Sequence, residues 1–429
     1  MSTTNESDRL VHQDQVARWI CEVRFRDSMV VKQSNIKRSN AWALKEGAIR
    51  HVSNRFFRVI GLKWGQPGEM HASIFLDQRE TGILGVIAKR ASDGLDILIN
   101  AKAEPGNCGF VQLAPTCQAT ASNIDRVHGG ELPPFSSYFL RPHGEVISDS
   151  LQSEHGMRFF GKLNRNIFVI ENTLQKLTAE HCWLPFRLLA KILNKDFLVN
   201  TDLRSVLCST DWSRLIGGLP FNGPDDFTKE LRQSFVCIPR QDMISRVWNQ
   251  LDVVRINSSK ATFVDIPDVA GFRYDCDNEH TVSNGIKSVR HIEVMSCTRE
   301  VHTWDQPIFE DTEEKVINLF CAQSKAGLVF AFRVTWEPGL ARLAELGPTS
   351  QTSAVDRPKF GSVRLSVKQS DEGGRFYRCV STYCILDTGQ VSGEDEYLWL
   401  TLSEIHSLLP LGVFNNESRS ALSLLLCYL

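Results

Sequence analysis

Residues 104–120 read EPGNCGFVQLAPTCQAT, and residues 337–353 read EPGLARLAELGPTSQTS. Aligned without a gap, the two stretches share Glu, Pro, Gly, Leu, Pro, Thr and Gln at matching places. A repeated phrase of this kind decides the architecture when it belongs to a longer series. It does. HVSNRFFRV (51–59) matches TVSNGIKSV (281–289), Gln152-Ser153 matches Gln369-Ser370, Trp183 matches Trp399, and NTDLRS (200–205) matches NNESRS (415–420). The matches keep their order and their spacing drifts only slightly, so the chain reads as a tandem duplication. One repeat covers 1–216 and the other 225–429. A linker over 217–224 lies in GGLPFNGPDD (217–226), where Gly and Pro punctuate the chain.

Working outward from the repeated phrase, each half shows the same succession of elements. GILGVIAK and GLDILINAK are apolar runs joined by ASDG, which predicts a β-hairpin; the second half has EKVINLFCA, KAG and LVFAFRVTW. Glu-Pro-Gly ends the second strand of each hairpin, because Pro removes a ladder donor and Gly permits a turn. A Trp followed by a helix closes each half, in WLPFRLLAKIL and WLTLSEIHSLL. Asp225 or Asp226 is placed to cap the helix FTKELRQSF. Strands early and in the middle with helices late predict α+β (mixed α/β) domains.

Bulk properties exclude several classes. With 429 residues, 42% hydrophobic, 23% charged and a net charge of −2, the chain has the composition of a globular protein without a basic footprint for nucleic acid or membrane. No apolar run approaches the roughly 18–20 residues of a membrane span. MSTTNESDRL lacks the basic and apolar segments of a secretory signal, which predicts a cytoplasmic protein. Twelve cysteines without CxxC spacing read as reduced packing thiols. There is no GxGxxG opening a helix, GxxxxGK[ST], HExxH or GxSxG. RETG (79–82) and DEGG (371–374) lack the further carboxylates of a magnesium-gathering REx2EE-type cluster. Neither a metal nor a cofactor is expected.

The chemistry is concentrated in the first half, where the two copies differ. Lys102 faces Thr335, Asn107 faces Leu340, Gln112 faces Glu345 and Asn166 faces Tyr383, while NIDRVHGG (123–130) has no counterpart after Ser353. Shared positions such as Glu104/Glu337, Pro115/Pro348 and Arg158/Arg375 are expected to hold the fold. Positions that are polar only in the first copy are the candidates for a site.

AKAEPGNCGFVQLAPTCQATASNIDRVHGG, with LQSEHGMRFFGKLNRNIFVIE and WLPFRLLAKILNKDFLVNTDLRSVLCS, resembles the NDP-hexose 2,3-dehydratase family of deoxysugar biosynthesis. The resemblance spans nearly the whole chain. It implies two Nudix-like domains per subunit without the Nudix metal site, a homodimer, and a pocket for a dTDP-linked 4-keto-6-deoxyhexose. The reaction it implies removes water across C2–C3, and a 3-ketoreductase or aminotransferase would act next. A family Trp-x-Gln-Pro before the hairpin is replaced by ASIFLDQ (72–78) in the first half and kept as WDQP (304–307) in the second. Glu154 and His128 are the titratable candidates for the acid/base pair, roles unassigned. Lys102, Arg126 and Arg165 suit diphosphate or enolate. Glu104, Gln112, Gln118, Asn123, Gln152 and Asn166 are the further polar candidates for substrate binding, and Trp42 is a stacking platform. A catalytically inactive sugar-nucleotide-binding protein is the alternative reading.

Overall fold

The computed structural model describes all residues except 1–7, 128, 130, 279, 300, 354–360 and 394–395. Each predicted hairpin is present, as Gly82–Ala91 with Gly94–Ala103 and as Lys315–Ser324 with Gly327–Trp336. Gly94 and Gly327 take positive φ at the turns, which a residue with a Cβ rarely adopts. Trp183 and Trp399 lie in short strands, His181–Pro185 and Leu398–Thr401, that run directly into the helices Phe186–Ile192 and Leu402–Leu408. Asp225 is the residue that caps Asp226–Val236, accepting a hydrogen bond from the Thr228 amide at 3.0 Å.

The hairpins sit in two seven-stranded mixed sheets of identical order. In the first, Glu145–Ser153, Leu163–Ile170, Gly82–Ala91, Gly94–Ala103 and His181–Pro185 succeed one another. Val111–Ala114 and Cys117–Ala119 are added on the two hairpin strands. The second runs Ser362–Ser370, Val380–Gln390, Lys315–Ser324, Gly327–Trp336, Leu398–Thr401, with Ala344–Gly347 and Ser350–Ser353 added in the same way. In both, the parallel pair joins the first hairpin strand to the same late strand. The fold is α+β, and the repeated sequence corresponds to repeated topology.

The two halves are not side by side like beads. The strand Val30–Ser34 leaves its own half and pairs with Lys287–Met295 of the second. Reciprocally, Thr262–Val264 pairs with Arg58–Gln66 of the first. A single apolar core runs through both sheets, taking in Phe168 and Leu184 from one and Phe330 and Tyr383 from the other. The helices Thr201–Cys208 and Asn416–Leu422 meet within it. Their buried Arg204 and Arg419 each reach a serine of the opposite half, Ser423 at 3.3 Å and Ser205 at 2.9 Å. Charged groups this deep persist only with their hydrogen bonds made, which accounts for the two NxxxRS phrases.

The doubled Glu-Pro-Gly is explained at the same seam. The Gly106 amide donates to the Gly373 carbonyl at 2.8 Å, and the Gly106 carbonyl accepts from Arg378 at 2.8 Å. Gly339 makes the matching pair, donating to Gly156 at 2.9 Å and accepting from Gly161 at 2.7 Å. The backbones approach so closely that a Cβ at Gly106 would lie 1.7 Å from the Phe376 carbonyl oxygen, and one at Gly339 would lie 1.9 Å from that of Phe159. Each copy of the phrase clasps the opposite half.

Candidate active site

The clasp brings polar residues of both halves around a narrow cleft of about 90 Å³. From the first half come Lys102 and Glu104 on the end of Gly94–Ala103, Gln118 on Cys117–Ala119, Glu154 just past Glu145–Ser153, and Lys162, Asn164 and Asp202. The second half contributes Arg299, Glu372 and Arg375. Among the described residues no three His, Cys, Asp or Glu groups are arranged to hold a metal ion.

Hydrogen bonds fix most of these side chains. Asn164 Nδ2 donates to Glu154 Oε1 at 2.5 Å, and Asn416 Nδ2, from the second half, donates to Oε2 at 3.2 Å. Glu104 Oε1 lies 3.1 Å from Lys102 Nζ and accepts from Gln118 Nε2 at 3.1 Å. Asn200 Nδ2 in turn donates to Gln118 Oε1 at 3.1 Å. Arg375 Nε donates to Gln78 Oε1 at 3.1 Å, and Lys162 Nζ donates to the Glu80 carbonyl at 2.9 Å. DEGG thus reaches the cleft directly, and RETG is tied to it through Lys162.

Burial disfavours the charged form of a carboxyl, and so do neighbouring carboxylates. Burial pushes Asp202 well above the ordinary carboxyl range, and Glu154, Glu372 and Glu104 push it further. Burial also pushes Glu372 up to about 7; Arg375 opposes this, while Glu104 and Glu154 add to it. Lys162 is lowered by burial, against the nearby Glu80 and Glu154. A site where burial holds Glu372 near neutrality suits proton transfer to a substrate.

The cleft opens into a larger cavity of about 430 Å³, and Thr120, Asn123, Arg299, Gly374 and Arg375 border both. Asn123 is fixed by the capping turn at Thr120, whose Oγ1 accepts from the Asn123 amide at 3.3 Å. The cavity walls are aromatic: Trp42, Phe56 and Phe57 from the first half face Trp304 of WDQP from the second. Trp42 packs 4.8 Å from Phe57, and its indole N–H donates to the Asp305 carbonyl at 2.8 Å. Arg375 stacks over Phe57 at 4.2 Å.

Of the residues singled out in the sequence, Lys102, Glu104, Gln118, Asn123 and Glu154 meet at the cleft and Trp42 lines the cavity. Gln112, Gln152 and Asn166 lie elsewhere. Gln112 Nε2 donates to Ser370 across the seam at 3.0 Å, Gln152 Nε2 to the Leu409 carbonyl at 3.0 Å, and Asn166 Nδ2 to Ser205 at 2.9 Å. Asn166 shares a strand face with Asn164, but the helix Thr201–Cys208 covers it there. Arg165, on the opposite face, is taken up by Asp149 at 2.6 Å and the Phe139 carbonyl at 2.9 Å. Arg126 is exposed beyond the cavity with a φ of 50°. His128 lies outside the described residues. Asn164, Lys162, Asp202, Arg299, Trp304, Glu372 and Arg375 were not anticipated. The last four belong to the second copy, which a search for residues polar only in the first passes over.

The corresponding place on the other side of the seam is built differently. His155 occupies the position matching Glu372, and its Nδ1 lies 2.7 Å from Glu417. Arg158, matching Arg375, is paired with Asp371 and lies 3.3 Å from Asp311, which Lys315 also approaches at 3.7 Å. Burial pulls the His155 imidazolium down, but Glu417 more than reverses this. His155 and Arg158 are thus each held by a carboxyl there, whereas Glu372 in the first cleft stands among carboxyls and cations alike.

The sequence profile of the NDP-hexose 2,3-dehydratases matches residues 13–209 and 252–425. Curated relatives include a dTDP-4-dehydro-6-deoxy-α-D-glucopyranose 2,3-dehydratase of Streptomyces violaceoruber, 32% identical over 404 residues and 88% of each chain. Enzymes of the same name from Saccharopolyspora spinosa and Amycolatopsis orientalis are 30% and 27% identical, covering 94% and 96% of this chain and 89% of each of theirs. A cleft of carboxyls joined to an aromatic cavity, together with similarity over nearly the full length, places this chain in the NDP-hexose 2,3-dehydratase family.

Proposed function

We propose that the enzyme eliminates water across C2–C3 of dTDP-4-dehydro-6-deoxyglucose, giving the dTDP-3,4-diketo-2,6-dideoxyhexose. The observation that supports this most is the junction of the two cavities. A nucleotide in the aromatic one would pass its diphosphate by Arg299 and Arg375 and deliver the hexose among the carboxyls. The C4 ketone acidifies the C3 proton, which Glu154 takes as general base. Lys102 and Asn164 stand near to stabilise the enolate. His128 is the second titratable group the sequence offers for the acid/base pair.

The two similar halves are read as Nudix-like repeats over 1–216 and 225–429 joined by 217–224, with the second cleft degenerate. A homodimer in the cytoplasm, followed by a 3-ketoreductase or aminotransferase that consumes the reactive diketone, completes the reading. No helix in the described residues is long and apolar enough to cross a membrane.

Purified protein without added metal, incubated with the substrate in deuterated water beside a trapping reductant, is expected to yield the dehydrated sugar by NMR and mass spectrometry. Tight binding with neither C3 exchange nor water loss would leave only a binding protein. Arg299→Ala is expected to raise KM about 10-fold with kcat nearly unchanged, as for loss of a charge-assisted contact outside the reacting atoms. A fall in kcat alone, in steady-state assays, would contradict its placement on the diphosphate.

A further inference from the structure

The elimination needs two proton transfers at different atoms, one from C3 and one to the hydroxide leaving C2. Glu154, with both oxygens held by amide donors from Asn164 and Asn416, stands on one side of the cleft. On the other side the second half inserts the turn DEGG (371–374), and Glu372 faces the same space. Its side chain folds back over Gly374. A Cβ there would lie 2.8 Å from Glu372 Oε1 and 3.8 Å from Glu104 Oε1, so glycine keeps the room the carboxyl occupies. Among the described residues the Glu372 carboxyl makes no hydrogen bond or ion pair, although it lines a cleft rich in donors. At the matching position across the seam, His155 is engaged by Glu417 at 2.7 Å.

Resting on the dehydratase reading above, we infer that Glu372 is a catalytic residue: the second half supplies the general acid for a reaction carried out in the first half's cleft. Glu154 takes the C3 proton, and the C3–H electron pair moves into the C3–C4 enolate. Collapse of the enolate forms C2=C3 and breaks the C2–O bond, and the departing hydroxide leaves as water with the proton of the Glu372 carboxyl. When the 3-enol tautomerises, C2 takes the proton held by Glu154 and the enol hydroxyl proton returns to Glu372. Both carboxyls are restored, and water is the only group lost.

The test compares wild type, Glu372→Gln and His128→Asn on the natural substrate and on its 2-deoxy-2-fluoro analogue, whose fluoride leaves without needing a proton. Glu372→Gln is expected to dehydrate the natural substrate about 100-fold more slowly. It should keep dTDP affinity and deuterium entry at C3, and eliminate fluoride at close to the wild-type rate. The carboxyl must be protonated to act and its value is about 7. Wild-type kcat should therefore hold below that pH and fall above it, and the fall should be absent with the fluoro substrate. Equal impairment of Glu372→Gln on both substrates, or full activity on the natural one, would overturn the inference while leaving the dehydratase reading intact. So would the same selective defect in His128→Asn with Glu372→Gln unimpaired. A wild type that binds the substrate but neither exchanges nor dehydrates it would overturn both.

Discussion

Glu154→Gln is expected to lower kcat roughly 1,000-fold, within the range for removal of a general base, and to abolish deuterium entry at C3. The amide is nearly the same size as the carboxyl, so the packing of the loop before Lys162 is kept. An amide cannot hold the abstracted proton, and one of its ends is a donor facing either Asn164 or Asn416, both of which donate to the native carboxylate. Glu154→Asp separates basicity from position. It keeps the carboxylate but withdraws it by one methylene, and a displacement of about 1 Å costs on the order of 100-fold where alignment matters. Affinity for dTDP should not change in either variant, because Glu154 lines the cleft and not the aromatic cavity. Exchange at the wild-type rate in Glu154→Gln, followed by NMR, would remove this residue from the role of base.

Gly106→Ala is expected to destabilise the fold by at least about 3 kcal/mol, the upper part of the range for overpacking a closed interior. The added methyl would meet the Phe376 carbonyl oxygen at 1.7 Å and the Gly373 carbonyl oxygen at 2.7 Å. Both are main-chain atoms, so no side-chain rotation relieves the contact. Separation of the two turns would also break the hydrogen bonds of Gly106 to Gly373 and Arg378. Gly339→Ala repeats the experiment against Phe159 at 1.9 Å. Because Glu372 and Arg375 flank the first seam, Gly106→Ala should also lower activity at temperatures where the protein remains folded, and more than Gly339→Ala does. Urea or thermal unfolding that leaves Gly106→Ala at the wild-type midpoint would show that the seam yields more easily than its geometry indicates.

Much of the fold was legible because its signals are local. The hairpins are announced by apolar runs around ASDG and KAG, the capped helix by Asp225, and the duplication by comparing the chain with itself. The crossing strands were not legible. VVKQS and TFV are short and largely exposed, and nothing within them distinguishes pairing at home from pairing with the other half. The site failed to be read in full for a related reason. Comparing the copies favours residues polar only in the first and brings forward Lys102 and Asn123, which line the cleft; Gln118 lines it too, although Gln351 matches it in the second copy. The same comparison discards Glu372, Arg299 and Trp304, which belong by sequence to one repeat and by position to the cavities of the other. In sequence, DEGG stands out only for the metal carboxylates it lacks.

The reciprocal crossing of Val30–Ser34 and Thr262–Val264 also bears on descent. Before the copies were fused, a single-repeat ancestor with this pairing would have been an intertwined dimer, each subunit lending a strand and a clasping turn to its neighbour. Two identical chains oblige both clefts to carry the same residues, so any change useful to one is imposed on the other. Joining the copies in one gene removed that obligation. Positions 155 and 372 became His and Glu, and 154 and 371 became Glu and Asp. One cleft was then free to keep Glu372, while its twin set the His155–Glu417 pair at the matching place.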